Sequence, residues 1–285
     1  MKRILLLGHT GKMGIAFTEA LKEGYELVGK NSKEFDASDF TQVREIISET
    51  RPDIVINTVA MLGITPCEKD PENAMVLNTL YPKLLAGLSN EFSFLLVHLS
   101  SAAIFDGAKD GFYTELDVPK PVNIYGLTKY GGDCLVESIA ERYYIFRLPV
   151  LFGRSVKKTQ FVEKMLSKMI DRDEDIRVAG DMISSPSYSL DIAASVKTFL
   201  DSSIEYGVYH LANEGQASLF EFISELSGCL GLDIRIEKAS YRDFPSQGMV
   251  NVNSAIVSKK RGSLRPWKTA LRDYADELKK EGVCG

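Results

Sequence analysis

Short apolar runs alternate along the chain with segments in which apolar residues return every three or four positions. Residues 4–7 read as a buried strand, 14–23 as a helix, 26–29 as a strand and 40–49 as a helix. The pattern continues with a strand at 53–57, a helix at 73–88 and a strand at 94–99. Strand and helix in strict alternation imply right-handed βαβ units on a parallel sheet, hence a doubly wound, Rossmann-like α/β fold. A helix then reaches about Arg142, and 144–148 forms a further strand. Beyond it the spacing predicts helices at 162–170 and 190–200, strands at 176–178 and 208–212, and a helix opened by the capping box Ser218 to Glu221. Pro266 suits a first helical turn, and 267–280 closes the chain as an amphipathic helix.

At 285 residues the chain suffices for a nucleotide-binding domain with a smaller companion. The expected division is a dinucleotide-binding domain over 1–150, joined by about 187–206, and a substrate-binding region over 151–186 and 207–285. A hydrophobic content of 45% excludes disorder, and a net charge of -5 argues against a general nucleic-acid binder. No apolar stretch approaches the roughly 20 residues of a membrane helix, and the opening Met1 to Gly8 reads as a first strand rather than a signal peptide. Cys67, Cys134, Cys229 and Cys284 are far apart, which suggests neither a zinc site nor a disulfide framework. A cytoplasmic protein with reduced thiols is the expectation.

The chemistry begins at Gly8-His9-Thr10-Gly11-Lys12-Met13-Gly14, a glycine-rich turn between a strand and a helix. Small residues there let the backbone approach a pyrophosphate, and helix N–H groups face its charge. After the second strand the chain runs Gly29-Lys30-Asn31-Ser32-Lys33, without the acid that takes ribose hydroxyls in NAD sites. That absence, with Lys30, points to NADPH, with NADH as the alternative.

Tyr125 and Lys129 are spaced i, i+4, so both emerge on one helix face. A phenol titrates near pH ~10, and a neighbouring ammonium lowers that value, which makes the tyrosine a proton donor. Ser101, at a strand's carboxyl end, can orient a carbonyl; Ser100 competes, and strand alternation sends only one of the two toward the site. His9, His98 and His210 lack metal-ligand spacing and no metal is expected. The runs Arg172 to Asp175 and Lys259 to Arg261, and the pair Lys157-Lys158, read as solvated surface.

Together these residues resemble the extended short-chain dehydrogenase/reductases that act on nucleotide sugars. Matching motifs are the turn at Gly8 to Gly14, Ser100 to Ala102, Tyr125 to Lys129 and the approach Glu115 to Pro121. Within that family the chain is most similar to the dTDP-4-dehydrorhamnose reductases, over nearly its whole length. Further matches are Arg51 to Ala60, Cys67 to Pro71, Asn78, Ile104 to Gly107, Arg147 to Gly153, Ser184 to Ser187 and Tyr209 to Asn213. The resemblance implies that Asp36 and Ala37 flank the adenine and that Asn57, Val59 and Ala60 line the cofactor cleft. It also implies that Pro149 lies near the nicotinamide, and that Met61, Ala102, Val150 and Ser185 meet the substrate.

The implied activity is NADPH-dependent reduction of a nucleotide-activated 4-keto-6-deoxy sugar, dTDP-4-dehydro-L-rhamnose in the first instance, for cell-surface polysaccharide, and a homodimer is a candidate assembly. A sugar epimerase of the same fold, and a cofactor-binding regulatory subunit resembling the beta subunit of methionine adenosyltransferase, are the alternatives. Departures cluster on the sugar side. Ala102-Ala103 replaces Asp-Tyr, Val150 stands where a tryptophan is usual, and Val250-Asn251 replaces Arg-Pro before Asn253-Ser254.

Overall fold

In the computed structural model, which describes residues 1–156, 160–171 and 176–282, ten of the fifteen strands among the described residues precede residue 211. They are β1 (Lys2–Leu7), β2 (Tyr25–Lys30), β3 (Ile54–Asn57), β4 (Leu95–Ser101), β5 (Tyr143–Leu148), β6 (Leu151–Phe152), β7 (Ile176–Ala179), β8 (Ile183–Ser184), β9 (Ser187–Tyr188) and β10 (Gly207–His210). The helices are α1 (Lys12–Leu21), α2 (Phe40–Thr50), α3 (Ile64–Lys69), α4 (Pro71–Met75), α5 (Tyr81–Glu91), α6 (Ile124–Ile139), α7 (Phe161–Ile170), α8 (Ser189–Asp201), α9 (Leu219–Leu230) and α10 (Trp267–Lys280). The runs at 157–158 and 172–175, and Cys284, lie outside the described residues.

The central sheet has the order β10-β5-β4-β3-β1-β2, and all its pairings are parallel. Period-two alternation explains its continuous apolar strands. Ile4 and Leu6 pack on one face with Ile54, Ile56, Val97 and Phe146, against α1 and α8. Leu5 and Leu7 pack on the other with Val55, Leu96 and Ile145, against α2 and α5. A strand buried on both faces has no polar side to show.

Two expectations change. The expected division puts 207–285, and with it the strand at 208–212, in the substrate-binding region; β10 pairs with β5, with Val208 opposite Ile145, at the edge of the central sheet. The apolar faces of α8 and β10 complete the same core as α1, so the chain returns to the sheet before leaving it again. The single helix expected over 73–88 is interrupted. Val76–Leu80 forms a π-helical turn between α4 and α5, and the adjacent Asn78 and Thr79 both reach α6. A regular α-turn would set neighbouring side chains 100° apart; the extra residue per turn accommodates both contacts.

A second core gathers Phe152, Leu166, Tyr188, Phe222, Trp267 and Tyr274 between α7, α9 and α10. Leu190 touches both cores and joins them. No described helix is long and apolar enough to cross a membrane.

Candidate active site

In the strand order, β1 lies between β2 and β3, so their carboxyl ends flank one crevice, where open α/β sheets take ligands. Gly8 leaves β1 with φ +89°, and its amide donates to the Lys30 carbonyl at 2.7 Å. A Cβ on Gly14 would stand 2.3 Å from the Gly8 carbonyl oxygen, so the turn can fold onto the start of α1 only with glycine there. The first hydrogen bond of α1 runs from Ile15 N–H to the Gly11 carbonyl, 2.9 Å, and no side chain caps the helix. The amides of Lys12, Met13 and Gly14 thus have no acceptor within the helix, and this turn fits a pyrophosphate.

The Lys12 side chain is buried. Its Nζ donates to the Leu151 carbonyl at 2.8 Å and pairs with Glu163 at 2.9 Å, both ions buried. Burial lowers its pKa and Glu163 opposes that shift. Lys12 therefore ties the turn to α7 through its side chain. Thr10 and His9 line a cleft of about 510 Å³ with Arg154 and Ser189 beside the turn. The larger groove, about 840 Å³ between α9 and α10, touches no sequence-predicted site residue.

Lys30 ends β2, half-buried, and Asn31 and Ser32 follow in a turn in which Asn31 Oδ1 accepts from Lys33 N–H at 2.9 Å. Glu34, which sequence reasoning passed over, accepts from Asn31 N–H at 3.0 Å. The exposed Asp36 carboxylate accepts from the Ser38 hydroxyl and amide, which lower its pKa, while Ala37 is buried against Leu5 and Leu7. Asn57 is buried at the end of β3, where its Oδ1 accepts from Val59 N–H at 3.0 Å. Val59 and Ala60 are half-buried beyond it.

Asn78 explains the path of Met61, accepting from its N–H at 2.9 Å and donating to its carbonyl at 3.0 Å. The same amide donates to the Thr128 hydroxyl at 3.1 Å, so the cofactor-side loop and α6 share one clamp. α6 itself starts at Asn123, whose Oδ1 accepts from Gly126 N–H at 2.8 Å. Glu68, on α3, receives the Ile124 amide at 3.0 Å. Asn123 and Glu68 were not singled out from the sequence; an Asn three residues before a glycine on a helix start was the available signal.

Close approach of α6 to β4 brings the candidate triad together. Ser101 is half-buried at the end of β4 and its hydroxyl faces the Tyr125 phenol, while accepting from Ala103 N–H at 3.1 Å. Ser100 points to the opposite side, buried and facing Asp133. Burial raises the Tyr125 pKa against the pull of Ser101, and the thiol of Cys67, itself pushed up to about 11 by burial, adds to the rise. This is opposite to the lowering expected from Lys129. The reason is placement: Lys129 is only 2% exposed and its Nζ donates to the Leu99 carbonyl at 2.7 Å. Burial pulls Lys129 down to about 8, with Asp133 opposing.

Of the expected substrate contacts, Ala102 is buried in a single 3₁₀ turn, Ala102–Ile104, that follows Ser101. Pro149 and Val150 are half-buried between β5 and β6, where Val150 N–H donates to Ser184 Oγ at 3.3 Å. The Ser185 side chain is buried, and its hydroxyl is engaged with the Ile256 carbonyl at 3.1 Å and amide at 3.2 Å. That hydroxyl ties β8 and β9 to the segment at Ile256.

Comparison with known proteins places these features. A family model described as the RmlD substrate binding domain matches residues 1–280. The spore coat polysaccharide biosynthesis protein SpsK of Bacillus subtilis is 30% identical over 283 residues, covering 97% of this chain and 98% of that protein. The dTDP-4-dehydrorhamnose reductase of Aggregatibacter actinomycetemcomitans is 29% identical over 229 residues, 78% of this chain and 77% of the relative. The crystal structure of the Bacillus anthracis dTDP-4-dehydrorhamnose reductase in complex with NADP has a TM-score of 0.91 and 27% identity, covering 97% of this chain and 99% of that one.

Proposed function

Because this chain belongs to the RmlD substrate-binding-domain family, we propose that it is an NADPH-dependent reductase of a nucleotide-activated 4-keto-6-deoxy sugar, with dTDP-4-dehydro-L-rhamnose as substrate and dTDP-L-rhamnose as product. The supporting observation is the convergence of the Ser101 hydroxyl and the Tyr125 phenol beside a buried lysine, at the carboxyl end of the sheet that also carries the uncapped turn. NADPH bound along that turn supplies the hydride. Ser101 holds the keto oxygen, and Tyr125 gives that oxygen its proton as the alcohol forms. A raised phenol pKa suits this role, since the acid form is the one required. Lys129 has three N–H donors and spends one on Leu99, leaving two for the cofactor ribose and for the developing phenolate. Asp36, Ala37, Asn57, Val59, Ala60 and Pro149 are assigned to the cofactor side, and Met61, Ala102 and Val150 to the sugar side. The B. anthracis relative's bound NADP supports the cofactor choice.

The test mixes purified protein and NADPH with dTDP-, GDP-, UDP- and CDP-linked 4-keto-6-deoxy sugars, following absorbance and product identity. Oxidation of NADPH with the dTDP sugar is expected. Sugar interconversion without NADPH loss would mark an epimerase, and silence across the panel with NADPH still bound would mark a binding subunit.

A further inference from the structure

This inference rests on the role proposed above for Lys129, one helical turn from the proton donor. On α6, Tyr125, Lys129 and Asp133 follow at four-residue spacing, which sets them along one helix face. Asp133 is 1% exposed, and its Oδ2 lies 3.1 Å from Arg147 Nε on β5. His98 Nε2 on β4 stands 3.9 Å from the other oxygen, and the Ser100 hydroxyl faces the same carboxylate.

The protonation of this cluster can be worked out from donors and acceptors. Asn57 Oδ1 is fixed by Val59 N–H, so its amide nitrogen faces His98 Nδ1, at 3.2 Å. An amide nitrogen only donates, so Nδ1 accepts and the neutral ring carries its proton on Nε2, toward Asp133. Burial and the Lys129 charge both hold His98 neutral. Burial also raises the Asp133 pKa, against the opposing pull of Arg147, whose Nε lies 3.1 Å away, and of Ser100 and Lys129. Around these groups, Tyr130 faces Asp133 and Arg147 from α6, and His210 on β10 faces Arg147, with Glu115 beyond it. Two buried basic side chains, Lys129 one turn away on α6 and Arg147 on β5, thus lie around one carboxyl group.

We propose that Asp133 is a positioning residue, the buried counter-ion that keeps Lys129 charged beside Tyr125, with Arg147 competing for the same carboxylate. Leu99 gives the ammonium only a neutral acceptor, so the compensating charge has to come from Asp133. Without Asp133, Lys129 confronts Arg147 in a dry interior. Arginine keeps its proton, so the lysine loses its own. Removing Arg147 has the opposite sign, because a competing cation disappears.

Lys129 titration is read directly in protein carrying ¹³C at the lysine ε-carbons, with its signal identified by loss in Lys129→Arg. Against the native midpoint, Asp133→Asn should lower it by about one pH unit or more, and Arg147→Gln should raise it. A purely structural Asp133 would change thermal stability and leave the midpoint in place. An unmoved midpoint in Asp133→Asn overturns the proposal; should that variant not fold, a midpoint in Arg147→Gln that stays or falls does so. No substrate is used, so failure of the sugar panel leaves this result interpretable by itself.

Discussion

Gly126→Ala sets helix propensity against packing. A methyl at this position would lie 2.3 Å from the Ala103 carbonyl oxygen and 3.2 Å from Pro121 Cβ. A comfortable carbon–oxygen contact needs about 1 Å more, and both walls include backbone or a ring, which do not swing aside. Overpacking of this kind costs about 1–3 kcal/mol, and the helix propensity of alanine returns about 0.5–1 kcal/mol. The net loss is up to about 2.5 kcal/mol, lowering Tm by up to about 10 °C for a chain of this size. The displaced turn carries Tyr125 away from Ser101, and a 1 Å misplacement costs about 100-fold in turnover. Gly87 is the control: it lies in α5, is exposed and has nothing near its absent Cβ, so Gly87→Ala should raise Tm by about 1–4 °C and leave turnover alone. Thermal denaturation and NADPH oxidation with the dTDP sugar measure both. A Gly126→Ala protein as stable and as active as the parent would refute the argument that α6 needs glycine to approach the Ser101 turn.

Tyr125→Phe should lower turnover by about 10²–10⁴-fold while NADPH affinity, followed by fluorescence titration, hardly changes; full activity would remove Tyr125 as the acid. Lys30→Glu should weaken NADPH binding by at least about tenfold and spare NADH, and an equal loss for both cofactors would show that Lys30 does not read the extra phosphate. Glu115 accepts from the His210 amide, the Ser258 hydroxyl and the Lys259 amide, and although burial would raise its pKa these bonds win and lower it. Its contribution is therefore complete above the unfolded carboxyl value and fades as pH falls through the folded one. Glu115→Gln should lower Tm by about 2–4 °C at pH 7, with the gap to the parent closing below about pH 4; a constant gap would deny the charge any part.

Local sequence determined the repeating βαβ layout, because strands buried on both faces must be apolar throughout and the helices between them must be apolar on one side. It also determined the glycine turn, since no residue with a Cβ fits Gly14, and the shared helix face of Tyr125 and Lys129, since four residues make about one turn. The i, i+4 step from Lys129 to Asp133 was equally legible, but its meaning was not. Tertiary structure alone brought β5 with Arg147 and β4 with His98 and Ser100 to that carboxylate. The same holds for Lys12, drawn from the turn by Glu163 on α7, for Ser185, satisfied by the 253–258 loop, and for β10, returned to the central sheet after α8. Local periodicity records which side of an element is buried. Ion-pair partners and pKa directions depend on groups distant in the chain and on how much water the fold leaves between them, and those were fixed only when the elements packed.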